Sequence, residues 1–133
     1  MDITTIWKPE YSVGHPEIDR QHKYLFELWI MLDSMKNQQD NRLSLEQALL
    51  SLFDYVEIHF NNEEEYLSTH PEIEQHKTIH ADFIAQTNTF MEEFHRETLD
   101  LHTVVDFLLD WLVHHIMETD VRYFKDLQQK SRP

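Results

Sequence analysis

The stretch SLEQALLSLFDYVEIHFNNEEEYL, from Ser44 to Leu67, decides the fold. Leu45, Leu49, Leu52 and Val56 recur at steps of three and four, the period of one face of an α-helix, and the stripe continues towards Tyr66. Ser44-Leu45-Glu46-Gln47 has the form of a capping box that opens such a helix. The same face also carries two residues that fit a core poorly. His59 follows Val56 by three positions and Glu63 follows it by seven, so both point where the leucines point.

Three other segments share the period. Ile18, Leu25, Trp29 and Leu32 form one stripe, Ile73, Phe83, Phe90 and Phe94 a second, and Leu101, Val104, Leu108 and Leu112 a third. Punctuation between them is sparse. Pro16 suits a first helical turn, with Glu17 and Asp19 favourable at its dipole. Asn37 to Asn41 reads as a polar connector, Ser68-Thr69-His70-Pro71 as a break, and Thr98 or Asp100 as a cap. Helices are therefore predicted at about 16–37, 43–67, 71–96 and 100–128. The reading is all-α: an antiparallel up-down four-helix bundle in a single domain spanning 1–133. Residues 1–15, with Trp7 and Tyr11, lack periodicity and form an N-terminal arm.

Composition removes many function classes. A formal charge of −14 opposes binding to nucleic acid or to an anionic membrane surface. Without cysteine there are no disulfides, thiolate nucleophiles, iron–sulfur clusters or Cys-type zinc sites. Gly14 is the single glycine, so neither a P-loop nor a dinucleotide fingerprint exists. The N-terminus has no signal-peptide character, and DFLLDWLVHHIM, from Asp106, is too short and polar to span a bilayer. A cytoplasmic setting is expected.

The gaps in the stripes are the informative positions. His22, His59, Glu63, His76, His80 and His115 all fall on the inward phase of their helices. A single inward histidine is ordinarily a core residue bonded to a neighbour. Six inward polar residues on four helices are better resolved by convergence on one or two cations, which the facing helices of a bundle can surround. His15, His70, His95, His102 and His114 are expected to face solvent, as are Glu64, Glu65, Glu72 and Glu74. Six N/O ligands exceed a tetrahedral zinc site and suit two six-coordinate ions; imidazole and carboxylate alone leave Fe, Mn, Ni, Cu and Zn open. The ferritin-like class is disfavoured, because the one Glu-x-x-His spacing, Glu92 to His95, leads off the seam.

Asp19-Arg20-Gln21-His22, His59-Phe60-Asn61-Asn62-Glu63, His76-Lys77-Thr78-Ile79-His80 and Trp111 to Asp120 together resemble the hemerythrin family. The pattern, H…H-x-x-x-E…H-x-x-x-H…H-x-x-x-x-D, runs over almost the whole chain, and Trp7 with Tyr11-Ser12-Val13-Gly14 resembles the family's arm. The resemblance implies a non-haem di-iron centre with an oxo or hydroxo bridge. His76, His80 and His115 would bind one iron, His22 and His59 the other, and Glu63 and Asp120 would bridge both. It leaves one open position, on the iron with two histidines, where dioxygen enters in the family. His115 and Asp120 pose a difficulty: five residues span about 140° on a regular α-helix. Either the helix widens locally into a π-type turn, or the two ligate from opposite flanks of the seam.

Leu25, Phe60, Leu67, Trp111 and Leu112 are the apolar residues whose phase suits the wall of a ligand pocket. Reversible dioxygen binding, for storage, delivery or scavenging, is the expected function, with no enzymatic role. The alternative is an oxygen- or redox-sensing input domain that signals to a downstream domain or partner protein. A di-iron peroxidase or nitric-oxide-handling enzyme is less well supported, because no additional acid, base or substrate cleft is identifiable.

Overall fold

The computed structural model describes residues 3–36 and 42–130. A short helix α1 (Ile3–Ile6) and a 3-10 turn (Pro9–Tyr11) precede α2 (Pro16–Asp33), α3 (Arg42–Tyr66), α4 (Ile73–His95) and α5 (Leu101–His114). The fourth rod of the bundle continues from α5 through a π-helical turn (His115–Asp120) into α6 (Val121–Lys130). α2 packs against α3 and α5, and α3 packs against α4. The result is an all-helical four-helix bundle. Among the described residues no helix is long and apolar enough to cross a membrane.

Local chemistry sets the helix ends. α2 opens on His15, whose Nδ1 accepts from the Ile18 amide at 3.3 Å, with Pro16 following at the first helical position. Asp19 reaches back to accept from the Val13 amide at 2.8 Å. At its far end α2 stops at Asp33, because the Met35 and Lys36 amides bond carbonyls three residues back instead of four. α3 is already helical at Arg42, which places Ser44 inside the first turn and not at its cap. The expected connector, Asn37 to Asn41, lies outside the described residues. α4 begins at Ile73, after a turn in which the Ile73 amide bonds the His70 carbonyl. Asp100 is the N-cap of α5, accepting from the His102 amide at 3.1 Å.

The stripes meet in two apolar clusters. The larger holds Leu25, Trp29, Leu49, Leu52, Val56, Phe60, Phe83, Phe90, Leu108 and Leu112. There the Trp29 indole Nε1–H also donates to the Val105 carbonyl at 2.8 Å, bonding α2 to α5. The smaller cluster is Val13, Ile18, Leu67, Tyr123 and Phe124. The α3 stripe therefore ends at Leu67. Tyr66 is 48% exposed and instead lies against the ring of His15. The arm packs its aromatic residues on α2: Trp7 and Tyr11 both contact Phe26, and the Val13 carbonyl accepts from Gln128 Nε2 at 3.2 Å.

With glycine confined to position 14, one turn uses a strained residue. α4 ends in a Schellman arrangement, in which the Thr98 amide bonds the Glu93 carbonyl and the Glu97 amide that of Phe94. Glu97 holds the left-handed position at φ 62°, where glycine is the natural occupant. Glu97→Gly should therefore stabilise the fold by about 0.5–1 kcal/mol, the relief of strain less the added chain entropy of glycine. Chemical denaturation would measure it, and a midpoint no higher than that of the parent chain would contradict the strain.

Candidate metal centre

Between the two apolar clusters lies a layer of buried polar residues, one contribution from each rod. α2 supplies His22, α3 His59 and Glu63, α4 His76 and His80, and the π turn His115 and Asp120. None is more than 6% exposed. His59 and Glu63, like His76 and His80, share a face because they stand four apart. His115 and Asp120 share one because the turn between them is π-helical, so residues five apart are stacked and Nε2 of His115 comes 3.0 Å from Oδ1 of Asp120. The widened turn removes the 140° offset that regular geometry would impose.

The carboxylates divide the imidazoles into two groups. Oε1 of Glu63 lies 2.8 Å from His76 Nε2, 3.2 Å from His80 Nε2 and 3.8 Å from His115 Nε2. Oδ1 of Asp120 faces the same side, at 3.3 Å from His76. The second oxygens turn the other way. Oε2 of Glu63 lies 3.2 Å from His22 and 3.3 Å from His59, and Oδ2 of Asp120 lies 3.2 Å from His22. Each carboxylate thus offers one oxygen to a three-histidine group and one to a two-histidine group.

Two observations test whether cations fit here. Both Asp120 oxygens are buried and accept no hydrogen bond, although imidazole nitrogens approach within 3.0–3.3 Å at unsuitable angles. A buried carboxylate left in that condition is costly unless a positive charge sits beside it. The donors, moreover, fall into two sets whose ligand atoms lie within 4.8 Å of one another: Glu63, His76, His80, His115 and Asp120, and His22, His59, Glu63 and Asp120. The cluster is compatible with a metal site.

The Hemerythrin HHE cation binding domain family model matches residues 13–127. The chain belongs to the hemerythrin family. It is 30% identical over 125 residues to a bacteriohemerythrin of Clostridium acetobutylicum, covering 89% of this chain and 97% of that one. A hemerythrin-like protein of Naegleria gruberi is 33% identical over 123 residues, 88% of each. A crystal structure of wild-type hemerythrin superimposes with a TM-score of 0.82 at 26% identity, covering 90% of this chain and 94% of that one. The bundle is thus the hemerythrin four-helix fold.

Within this hemerythrin-family bundle, several contacts lie beyond what helical phase conveys. Gln21 Oε1 accepts from His59 Nδ1 at 2.7 Å and is itself tied to Glu17 through its amide nitrogen. Glu64, expected in solvent, is half-buried and accepts from His80 Nδ1 at 2.8 Å. His70, also expected in solvent, is buried because α6 packs over it. Its ring stacks on Tyr123 at 4.2 Å, and Nε2 lies 3.1 Å from Asp126. His70, Glu72 and Asp126 form a third group of metal-binding residue types, but Nδ1 of His70 already accepts from the Glu72 amide at 2.9 Å. Nε2 must then carry the proton and is no metal donor, so this group is a hydrogen-bonded strut. His95, His102 and His114 are exposed. Of the wall residues, Leu25, Phe60 and Leu112 belong to the larger cluster and the partly buried Trp111 packs against it, whereas Leu67 belongs to the smaller one, on the opposite side of the histidine layer.

In the metal-free chain, protons take the place of cations. Burial favours neutral rings at His22 and His76, but their hydrogen bonds to Glu63 and the close negative charges of Asp120 and Glu63 outweigh it and raise both to about 9. His115 is raised by the same balance, and burial lowers His59. Burial would push Glu63 and Asp120 up, yet the surrounding imidazoles hold both well below the usual carboxylate range. Raised histidines stabilise the metal-free fold fully below pH about 6.5 and cease to do so as pH climbs through about 9. Its thermal midpoint should fall across that window, while metal uptake at pH 7 releases protons and strengthens with pH. A scan with no pH-dependent midpoint, or uptake without proton release, would contradict this charge balance.

Proposed function

We propose that the chain holds two iron ions and binds dioxygen reversibly, as an oxygen-storing, delivering or scavenging protein and not as an enzyme. The observation that carries the reading is the division of the two carboxylates between a three-histidine and a two-histidine group. In this reading His76, His80 and His115 would hold one iron, His22 and His59 the other, and Glu63 and Asp120 would each offer an oxygen to both. Two ferrous ions so held, with an oxo or hydroxo bridge between them, would supply the two electrons that dioxygen takes up on binding. With three rings on one side and two on the other, the His22–His59 side would be the one with room for a further ligand.

The remaining work falls to apolar side chains. Phe60 stacks on His80 at 3.7 Å, and Trp111 on His115 at 4.4 Å, so the larger cluster begins directly on the imidazoles. Leu25 and Leu112 extend that wall. Apart from the Trp111 indole, none of the four carries a proton donor, which suits a site meant to hold its ligand without chemistry and to exclude water. A sensing role is the second reading. It draws support from Tyr123, whose ring packs on His76 at 4.6 Å and on His70, so a shift at the centre would reach α6 directly.

Absorption spectra of the iron-loaded chain in air, after reduction and after readmission of oxygen test the proposal. Visible bands that bleach on reduction and are replaced by a distinct oxygen-dependent band are expected, with two irons per chain. A protein that stays colourless at full iron loading would refute it. Direct return to the first spectrum would favour sensing by oxidation. Leu112→Ala should accelerate the decay of the oxygenated form several-fold by admitting water, and should cost about 2–5 kcal/mol of stability. An unchanged decay rate would remove Leu112 from the wall.

A further inference from the structure

The imidazole of His80 is enclosed by one helix in a way its neighbours are not. Phe60 lies flat on its face, at 3.7 Å and 3° between planes. Glu63 Oε1 faces Nε2 at 3.2 Å, and the next residue, Glu64, accepts from Nδ1 at 2.8 Å. Residues 60, 63 and 64 of α3 therefore grip the face and both nitrogens of a ring that belongs to α4. The other rings are backed differently. His59 has the uncharged amide of Gln21 behind it, while Nδ1 of His22 and of His76 is buried without a partner.

An Nδ1–H donated to a carboxylate does two things to an imidazole. It fixes the tautomer with the lone pair on Nε2, and it strengthens that nitrogen as a donor, more than an amide acceptor can. Building on the two-metal reading above, we infer that Glu64 is a positioning residue for the three-histidine half of the centre. It holds His80 with its lone pair directed inward, and it biases the metal on that side towards its more oxidised state. The centre is then electronically uneven by construction: a charged partner stands behind a ring of the three-histidine group, and a neutral one behind a ring of the two-histidine group.

The test uses the full chain with Glu64→Gln, Glu64→Ala and, as a control, Glu65→Gln at the exposed neighbour. Titration of the metal-free proteins with Co²⁺ should resolve two binding steps in the parent chain. Glu64→Ala should weaken one of them about 10–100-fold and leave the other in place, with Glu64→Gln intermediate and Glu65→Gln unchanged. The midpoint potential of the iron-loaded proteins should rise from parent to Gln to Ala, a shift that loss of packing alone would not order by charge. The amide variant preserves side-chain volume, so it reports the charge even where alanine disturbs the helix. If Glu64→Ala and Glu64→Gln bind both ions and keep the parent potential, the inference fails while the two-metal reading stands. A parent chain that binds no Co²⁺ overturns both.

Discussion

Two carboxylates buried at 0% exposure, in a layer with no lysine or arginine, are the constraint to which the rest of the molecule answers. Isolated negative charges in such a place would cost far more than a domain's net stability. Five imidazoles crowd Glu63 and Asp120 instead, and both carboxyls are held below their usual range while His22 and His76 are raised above theirs, each side favouring the charge of the other. Every rod of the bundle is tied to this layer, and the apolar stripes are arranged above and below it. The division into two clusters exists because the polar layer passes between them.

The π turn is the geometric counterpart of that charge constraint. It lets one rod contribute two groups five residues apart to the same face, which a regular helix does only at spacings of three or four. α5 and α6 on either side are ordinary α-helix, so the irregularity is confined to the six residues that include His115 and Asp120. A local distortion that persists beside a buried charge cluster is held there by its surroundings.

Much of this was legible in the amino-acid sequence, and the exceptions have physical causes. Stripes at threes and fours were sufficient for the bundle, and the six polar residues that helical phase turns inward are all buried. Asp120 could be reached only through likeness to a family, because its spacing from His115 contradicts a regular helix until the π turn is seen. His70 sits in a turn, where no period applies, and its burial comes from α6, some fifty residues later. Glu64 lies off the seam by phase, yet a glutamate is long enough to reach a ring on the next helix. Tyr66 and Leu67 were separated by one residue of phase: the stripe passes through Leu67, and Tyr66 turns outward to His15.

The arm that closes the small cluster is fastened in an unusual place. Val13 and Gly14 meet Gln128, a contact across 115 residues of chain, and the approach at Gly14 is so close that a Cβ there would lie 2.6 Å from the Gln128 amide nitrogen. Closing so long a loop carries an entropic cost that the packing beneath the contact must offset. These contacts also join the two ends of the described chain over the smaller cluster, beside Tyr123 and the histidine layer. The one glycine of the chain and one glutamine thus act as a clasp, holding the arm over the small cluster at a place where no side chain larger than hydrogen would fit.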